Sequence, residues 1–107
     1  MEKACFVLNI LPEHMEEYRN RHADVWPDMQ DALRQSGWKN YSLFLRGDGL
    51  AIGYLECENY EESVRNMENF EVNGRWQATM LPLVANVPAG ERADQNLQRV
   101  PLIFNLD

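Results

Sequence analysis

The chain is short of nearly everything that metal, redox and nucleic-acid chemistry draw on. It has two histidines, His14 and His22, and two cysteines, Cys5 and Cys57. The cysteines form no CxxC pair and have no histidine nearby, so they do not make a zinc site. Both fall in strand-like segments and read as buried free thiols without a disulfide. Basic side chains are outnumbered, with Lys+Arg 10 against Asp+Glu 17 and a net charge of −7. A phosphate-backbone binder needs a basic face, so the balance argues against nucleic acid as a partner. It places no obstacle before a neutral ligand such as a sugar. No apolar run approaches the length of a membrane span. The opening Met1-Glu2-Lys3-Ala4-Cys5-Phe6 lacks the basic region and long apolar core of a secretory signal, so the expected location is the cytoplasm. There is also no glycine-rich phosphate loop, no HxxxH or similar metal cluster and no Ser-His-Asp pattern. Neither a metal nor a cofactor is expected.

What is there reads as one ordinary globular domain covering residues 1–107. Hydrophobic residues make up 45% and charged residues 25%, enough for a core and for a water-facing surface. Residues 3–10 alternate as a strand, with Ala4, Phe6, Leu8 and Ile10 on one face and Cys5 and Val7 on the other. Pro12 suits a helix start, and a first helix is expected from Pro12 to His22. Pro27 then breaks or restarts the helical path. Trp26, Met29 and Leu33 form the stripe of a second piece, which Gly37 caps. Tyr41–Arg46 and Leu50–Glu58 read as a hairpin joined at Gly47-Asp48-Gly49. Asn59 can cap a helix from Tyr60, with Glu62 three residues on. That helical region is expected to run to Leu81 with a break near Asn73-Gly74. Residues 84–96 read as a loop, long enough in so small a domain to be functional or an interface arm. Leu97–Leu106 reads as the last strand.

The order is strand, helix, strand, strand, helix, strand, which predicts an α+β, ferredoxin-like βαββαβ fold. Two helical regions cover one face of such a sheet, and the other face is normally polar. Here the strands are apolar on both parities. Leu50, Ile52 and Tyr54 stand against Ala51, Leu55 and Cys57, and Val100, Leu102 and Phe104 stand against Leu97 and Ile103. An uncovered apolar sheet implies a partner, and a symmetric homodimer packed sheet against sheet is the economical one.

Chemistry points to the stretch 15–28. Tyr18 and His22 are four residues apart and share a helix face, and Trp26 extends the series if the helical path continues. Imidazole is the side chain whose ordinary pKa lies nearest neutrality, so His22 is the natural proton carrier. Spacing alone favours a plainer arrangement, in which these aromatics face the sheet and His22 satisfies a backbone carbonyl. His14, beside Pro12-Glu13, reads as solvated. Met80, four residues after Trp76, reads as core. Trp76 suits either the core or a platform for the apolar face of a pyranose. Tyr41, after Asn40 at the start of a strand, is a weak signal alone. The acidic Glu56, Glu58, Glu61 and Glu62 read as a solvated face and a helix start.

Taken together, several stretches are similar to one known family. They are Ala4-Cys5-Phe6-Val7-Leu8, Glu17-Tyr18-Arg19-Asn20-Arg21-His22, Val25-Trp26-Pro27, Asn40-Tyr41-Ser42 and Arg75-Trp76. Over essentially its whole length the chain resembles the L-rhamnose mutarotases. The resemblance implies a dimeric α+β barrel that interconverts the α and β anomers of L-rhamnose. It implies His22 as the proton donor, Tyr18, Tyr41 and Trp76 as sugar-binding residues, and Gln77 at a further ligand position. The familiar pattern has two tryptophans in succession, whereas this chain has Trp76-Gln77, and Gln77 can offer a hydroxyl a hydrogen bond where a ring would stack. The competing readings are a small cofactor-free oxygenase or a non-catalytic sugar-binding module, since one architecture hosts many chemistries.

Overall fold

The computed structural model describes all 107 residues. In chain order they form β1 (Glu2–Asn9), a 3-10 turn at Pro12–His14, α1 (Met15–His22), α2 (Pro27–Gln35), β2 (Lys39–Leu45), β3 (Leu50–Cys57), α3 (Tyr60–Glu68), α4 (Glu71–Met80), further 3-10 turns at Leu81–Leu83 and Ala93–Gln95, and β4 (Gln98–Val100). The sheet order is β2-β3-β1-β4 with every pairing antiparallel. This is the expected ferredoxin-like arrangement, with β1 and β3 central and all helices on one face.

Local chemistry sets the element ends. Pro27 occupies the first turn of α2, where its missing N–H costs nothing. At the other end Gly37 takes φ +89, its N–H bonding Arg34 O at 3.1 Å while the Trp38 N–H bonds Leu33 O at 3.0 Å. That paired closure needs a left-handed residue and turns Trp38 back toward the sheet. Asn59 caps α3, its Oδ1 accepting the Glu62 N–H at 3.0 Å.

Three sequence expectations are corrected. The first helix opens as a 3-10 turn, and its α-helical part begins only at Met15. The break between the later helices lies at Asn69–Phe70, not at Asn73-Gly74. Phe70 is extended, its ring packs against the core, and its carbonyl accepts the N–H groups of Asn73 and Gly74 to restart the helix. The last strand is only three residues long, because Pro101 has no N–H to continue the ladder. Leu102, Ile103, Phe104 and Leu106 therefore leave the sheet and are exposed.

The core lies between helices and sheet. Ala4, Phe6 and Ile10 of the first strand segment face Ala51, Leu55 and Cys57 from β3, all buried, as the alternation requires. The Phe6 ring lies over Gly53, where a Cβ would come within 2.3 Å of the ring. On the opposite sheet face Cys5, Val7, Ile52 and Tyr54 are only half-buried and Phe44 is exposed. Cys57 is buried as expected, Cys5 only partly so, and both are free thiols.

Gly74 offers a stability test. It sits inside α4, and a Cβ there meets nothing within 4 Å. Glycine in a helix interior is less favourable than alanine by about 0.5–1 kcal/mol. Gly74→Ala is expected to stabilise the protein by that amount, read as a rise of a few degrees in the thermal midpoint. A fall would mean that the α4 backbone needs the glycine.

Candidate active site

A cavity of about 560 Å³ lies between the helix layer and the sheet, within the roughly 300–1,000 Å³ range of small-molecule sites. Tyr18, His22, Tyr41, Trp76 and Gln77, drawn from three separate elements, all line it. Trp26 and His14 do not. The α-helix stops at His22, so Trp26 is not the next step of its stripe but the residue that caps α2. Trp26 packs against the core, edge to face with Trp76 at 5.0 Å and 88°.

His22 is fixed by its own helix. Its Nδ1 lies 2.8 Å from the Tyr18 carbonyl. A carbonyl only accepts, so Nδ1 carries the proton and the neutral ring keeps a bare lone pair on Nε2. The ring packs against Tyr18 at 4.4 Å, tilted by 41°, and meets Trp76 at 5.4 Å and 89°. Burial pulls its pKa below the usual 6.5, and the carbonyl hydrogen bond offsets part of that drop. Position at a helix C-terminus also favours the cation, but desolvation wins. The resting ring is therefore neutral near pH 7.

The two phenols reach the cavity from opposite layers. Tyr18 is held in α1 and is 5% exposed. Tyr41 shares the inward face of β2 with Leu43 and Leu45 by simple alternation, and a β-bulge lies just before it: Lys39 pairs with Glu56 and Ser42 with Tyr54, so Asn40 and Tyr41 together span one partner position. Asn40 absorbs the irregularity with φ +47, which asparagine tolerates better than most residues. Tyr41 then points to the helix side, packed on Trp38 at 4.9 Å and Phe6 at 6.2 Å. Burial pushes both phenols well above the usual tyrosine range, and Tyr18 adds to the rise at Tyr41. Both hydroxyls thus stay protonated as donors.

Trp76 is 6% exposed and belongs to the buried core, yet it also forms cavity wall. The core reading of this residue therefore holds, and its place in the wall leaves the platform reading open to test. Beside it, Gln77 Nε2 donates to Asn73 Oδ1 at 3.2 Å. Asn73, 1% exposed, donates to Met67 O at 3.0 Å and to Asp94 Oδ2 at 2.9 Å. Asp94 lines the same cavity. The 84–96 segment therefore supplies part of the site: Val84, Ala93 and Asp94 all come from it. Sequence reasoning missed Asn73 and Asp94, taking the first for a helix break. The one available hint was the length of the loop; nothing in the sequence joins residues 21 positions apart.

A family model described as L-rhamnose mutarotase matches residues 3–106. An L-rhamnose mutarotase of Bacillus subtilis (strain 168) is 39% identical over 85 residues, covering 78% of this chain and 81% of that protein. One from Burkholderia cenocepacia (strain HI2424) is 31% identical over 98 residues, covering 92% and 94%. The crystal structure of an L-rhamnose mutarotase from Formosa agariphila superposes with a TM-score of 0.81 at 17% identity, covering 100% of both chains. Tetracenomycin F2 cyclase of Streptomyces glaucescens, a type-II polyketide cyclase, reaches 0.64 at 14% identity, covering 100% and 98%, so the fold is shared beyond sugar chemistry. The family model and these sequence relatives place this chain in the L-rhamnose mutarotase family.

Proposed function

We propose that this chain interconverts the α and β anomers of L-rhamnose, with His22 as the group that moves the proton. One observation carries the reading: the Nδ1–H bond to the Tyr18 carbonyl leaves Nε2 as the free nitrogen of a ring that lines the cavity. Mutarotation needs the anomeric hydroxyl to lose a proton while the ring oxygen gains one. In the opening step Nε2 takes the O1 proton, the C1–O5 bond breaks as the C1=O1 carbonyl forms, and O5 receives a proton. The C1–C2 bond rotates, O5 attacks the other face of C1 and loses its proton, and the imidazolium returns its own to O1. The family resemblance names His22 as a donor, and it is one in this closing step. A neutral resting ring makes it the base first. Tyr18 or Tyr41, kept as neutral phenols, gives O5 its proton and takes it back when the ring closes. These transfers call on no metal or cofactor.

The walls suit the sugar. Tyr18, Tyr41 and Trp76 offer aromatic surface to the apolar side of the ring, and C6 of rhamnose is a methyl group that needs no polar partner. Gln77 offers a hydrogen bond at the position where the family pattern has a second ring. Saturation-transfer NMR between the two anomeric proton signals tests the reading. Enzyme-dependent transfer without net product is expected. A binding module would shift the sugar resonances without exchange, and an oxygenase would consume oxygen and yield a new compound; either result would overturn the proposal.

The working form is a homodimer. The half-buried sheet face of Cys5, Val7, Ile52 and Tyr54, together with exposed Phe44, Leu102 and Phe104, supports that assembly. Phe104 is 75% exposed in the protomer, so Phe104→Asp is expected to weaken association while leaving the protomer fold intact. Sedimentation equilibrium beside circular dichroism checks this; a wild type sedimenting as a folded monomer refutes it.

A further inference from the structure

We propose that Asp94 is a specificity-determining residue, accepting a hydrogen bond from one ring hydroxyl of the sugar and held for it by Arg92 and Asn73. The inference rests on the mutarotase reading of the cavity and names a contact within it. Its basis is a count of donors and acceptors. Asp94 Oδ2 accepts from Arg92 Nη2 at 2.6 Å and from Asn73 Nδ2 at 2.9 Å. Oδ1 accepts only from Arg92 Nε, at 3.0 Å. A carboxylate oxygen has room for two donors, so Oδ1 keeps one acceptor position, and the side chain is 14% exposed on a residue that lines the cavity.

The holding groups leave little freedom. The guanidinium grips both carboxylate oxygens, which fixes the carboxylate plane as well as its position. Both Nδ2 hydrogens of Asn73 are used, on Met67 O and Asp94, and its Oδ1 accepts from Gln77. Gln77 keeps Oε1 and one Nε2 hydrogen. The wall beyond the aromatic residues thus presents a charged acceptor at Asp94 and a mixed donor–acceptor pair at Gln77. Vicinal hydroxyls of a pyranose, each able to donate and accept, match that set. An ionised acceptor forms the stronger class of hydrogen bond, and its partner is missed sharply when absent.

The Arg92–Asp94 pair also staples residues 91–96, so a drop in activity alone decides nothing. The experiment compares wild type and Asp94→Asn on L-rhamnose and on its 2-deoxy, 3-deoxy and 4-deoxy analogues, each followed by NMR anomer exchange. Asp94→Asn is expected to lower kcat/KM for L-rhamnose by about 10–100-fold, mostly through KM. For the one analogue lacking the contacted hydroxyl, wild type and variant are expected to be equal. A wild-type-to-variant ratio that is the same for all four sugars would show a staple and nothing more, overturning the inference. If Asp94→Asn melts too low to assay, the wild-type Asp94 13Cγ resonance replaces it. That signal should shift on saturation with L-rhamnose but not with one of the analogues, and no shift with L-rhamnose overturns the proposal. A wild type that exchanges no anomers sinks the mutarotase reading itself, a result distinct from exchange without dependence on Asp94.

Discussion

His22→Ala is expected to slow anomer exchange by about 10²–10⁴-fold, the usual contribution of a positioned acid–base group. That corresponds to roughly 3–5 kcal/mol of barrier. His22→Asn keeps a donor but cannot carry a proton near neutrality, so it should recover little. His14→Ala should leave the rate unchanged, since His14 lies outside the cavity. Burial pulls the His22 pKa down, so the base form dominates at neutral pH, and the rate should fall only on the acid side. The same shift has a stability consequence. The fold favours neutral His22 more than the unfolded chain does, so this contribution is complete above the ordinary value of 6.5 and is lost as pH falls through the lowered value. His22→Ala should abolish that part of the acid dependence in a denaturation series. A variant exchanging at the parent rate would move the search for the proton carrier to Tyr18 and Tyr41, where Tyr18→Phe and Tyr41→Phe are the next substitutions.

Gly53→Ala is expected to be the costliest single methyl group that can be added to the sheet. The new Cβ would lie 2.3–2.7 Å from three atoms of the Phe6 ring, closer than carbon atoms approach. Phe6 is 2% exposed and lines the cavity, so the ring can give way only by pressing on its neighbours or moving into the site. Overpacking of this kind costs about 1–3 kcal/mol. Phe6 also packs on Tyr41 and Trp38, so a displaced ring moves one cavity wall, and exchange should fall along with stability. Phe6→Leu destabilises by itself, but the pair Phe6→Leu with Gly53→Ala should cost less than the sum of the two, as expected for residues in direct contact. Urea melts of the four proteins measure that coupling. Strict additivity would mean that Gly53 and Phe6 do not constrain each other.

The long-range network is where sequence and structure part. Tyr18 and His22 were legible because a helix sets their relation by spacing alone, and the chain supplies that helix with Pro12 before it and Pro27 after it. The strands were legible from their alternation, and Asn59 and Gly37 from the backbone groups they satisfy. The length of β4 was not, since apolar character persists through Phe104 while Pro101 ends the hydrogen bonding. Asn73 in sequence looked like a helix breaker; buried against Met67 O and Asp94 it is a strut.

By itself, then, the chain determined its element order and the alternating faces of β1 and β3, because these follow from periodicities and caps acting over a few residues, whereas the choice of His22 rested on the family resemblance. Tertiary structure decided which ring nitrogen of His22 is free, that burial lowers its pKa, that a bulge at Asn40 interrupts the pairing of β2 beside Tyr41, and that Asp94 joins the cavity across 21 residues. Those outcomes depend on desolvation and on contacts between distant segments, and neither quantity exists until the helices have closed over the sheet.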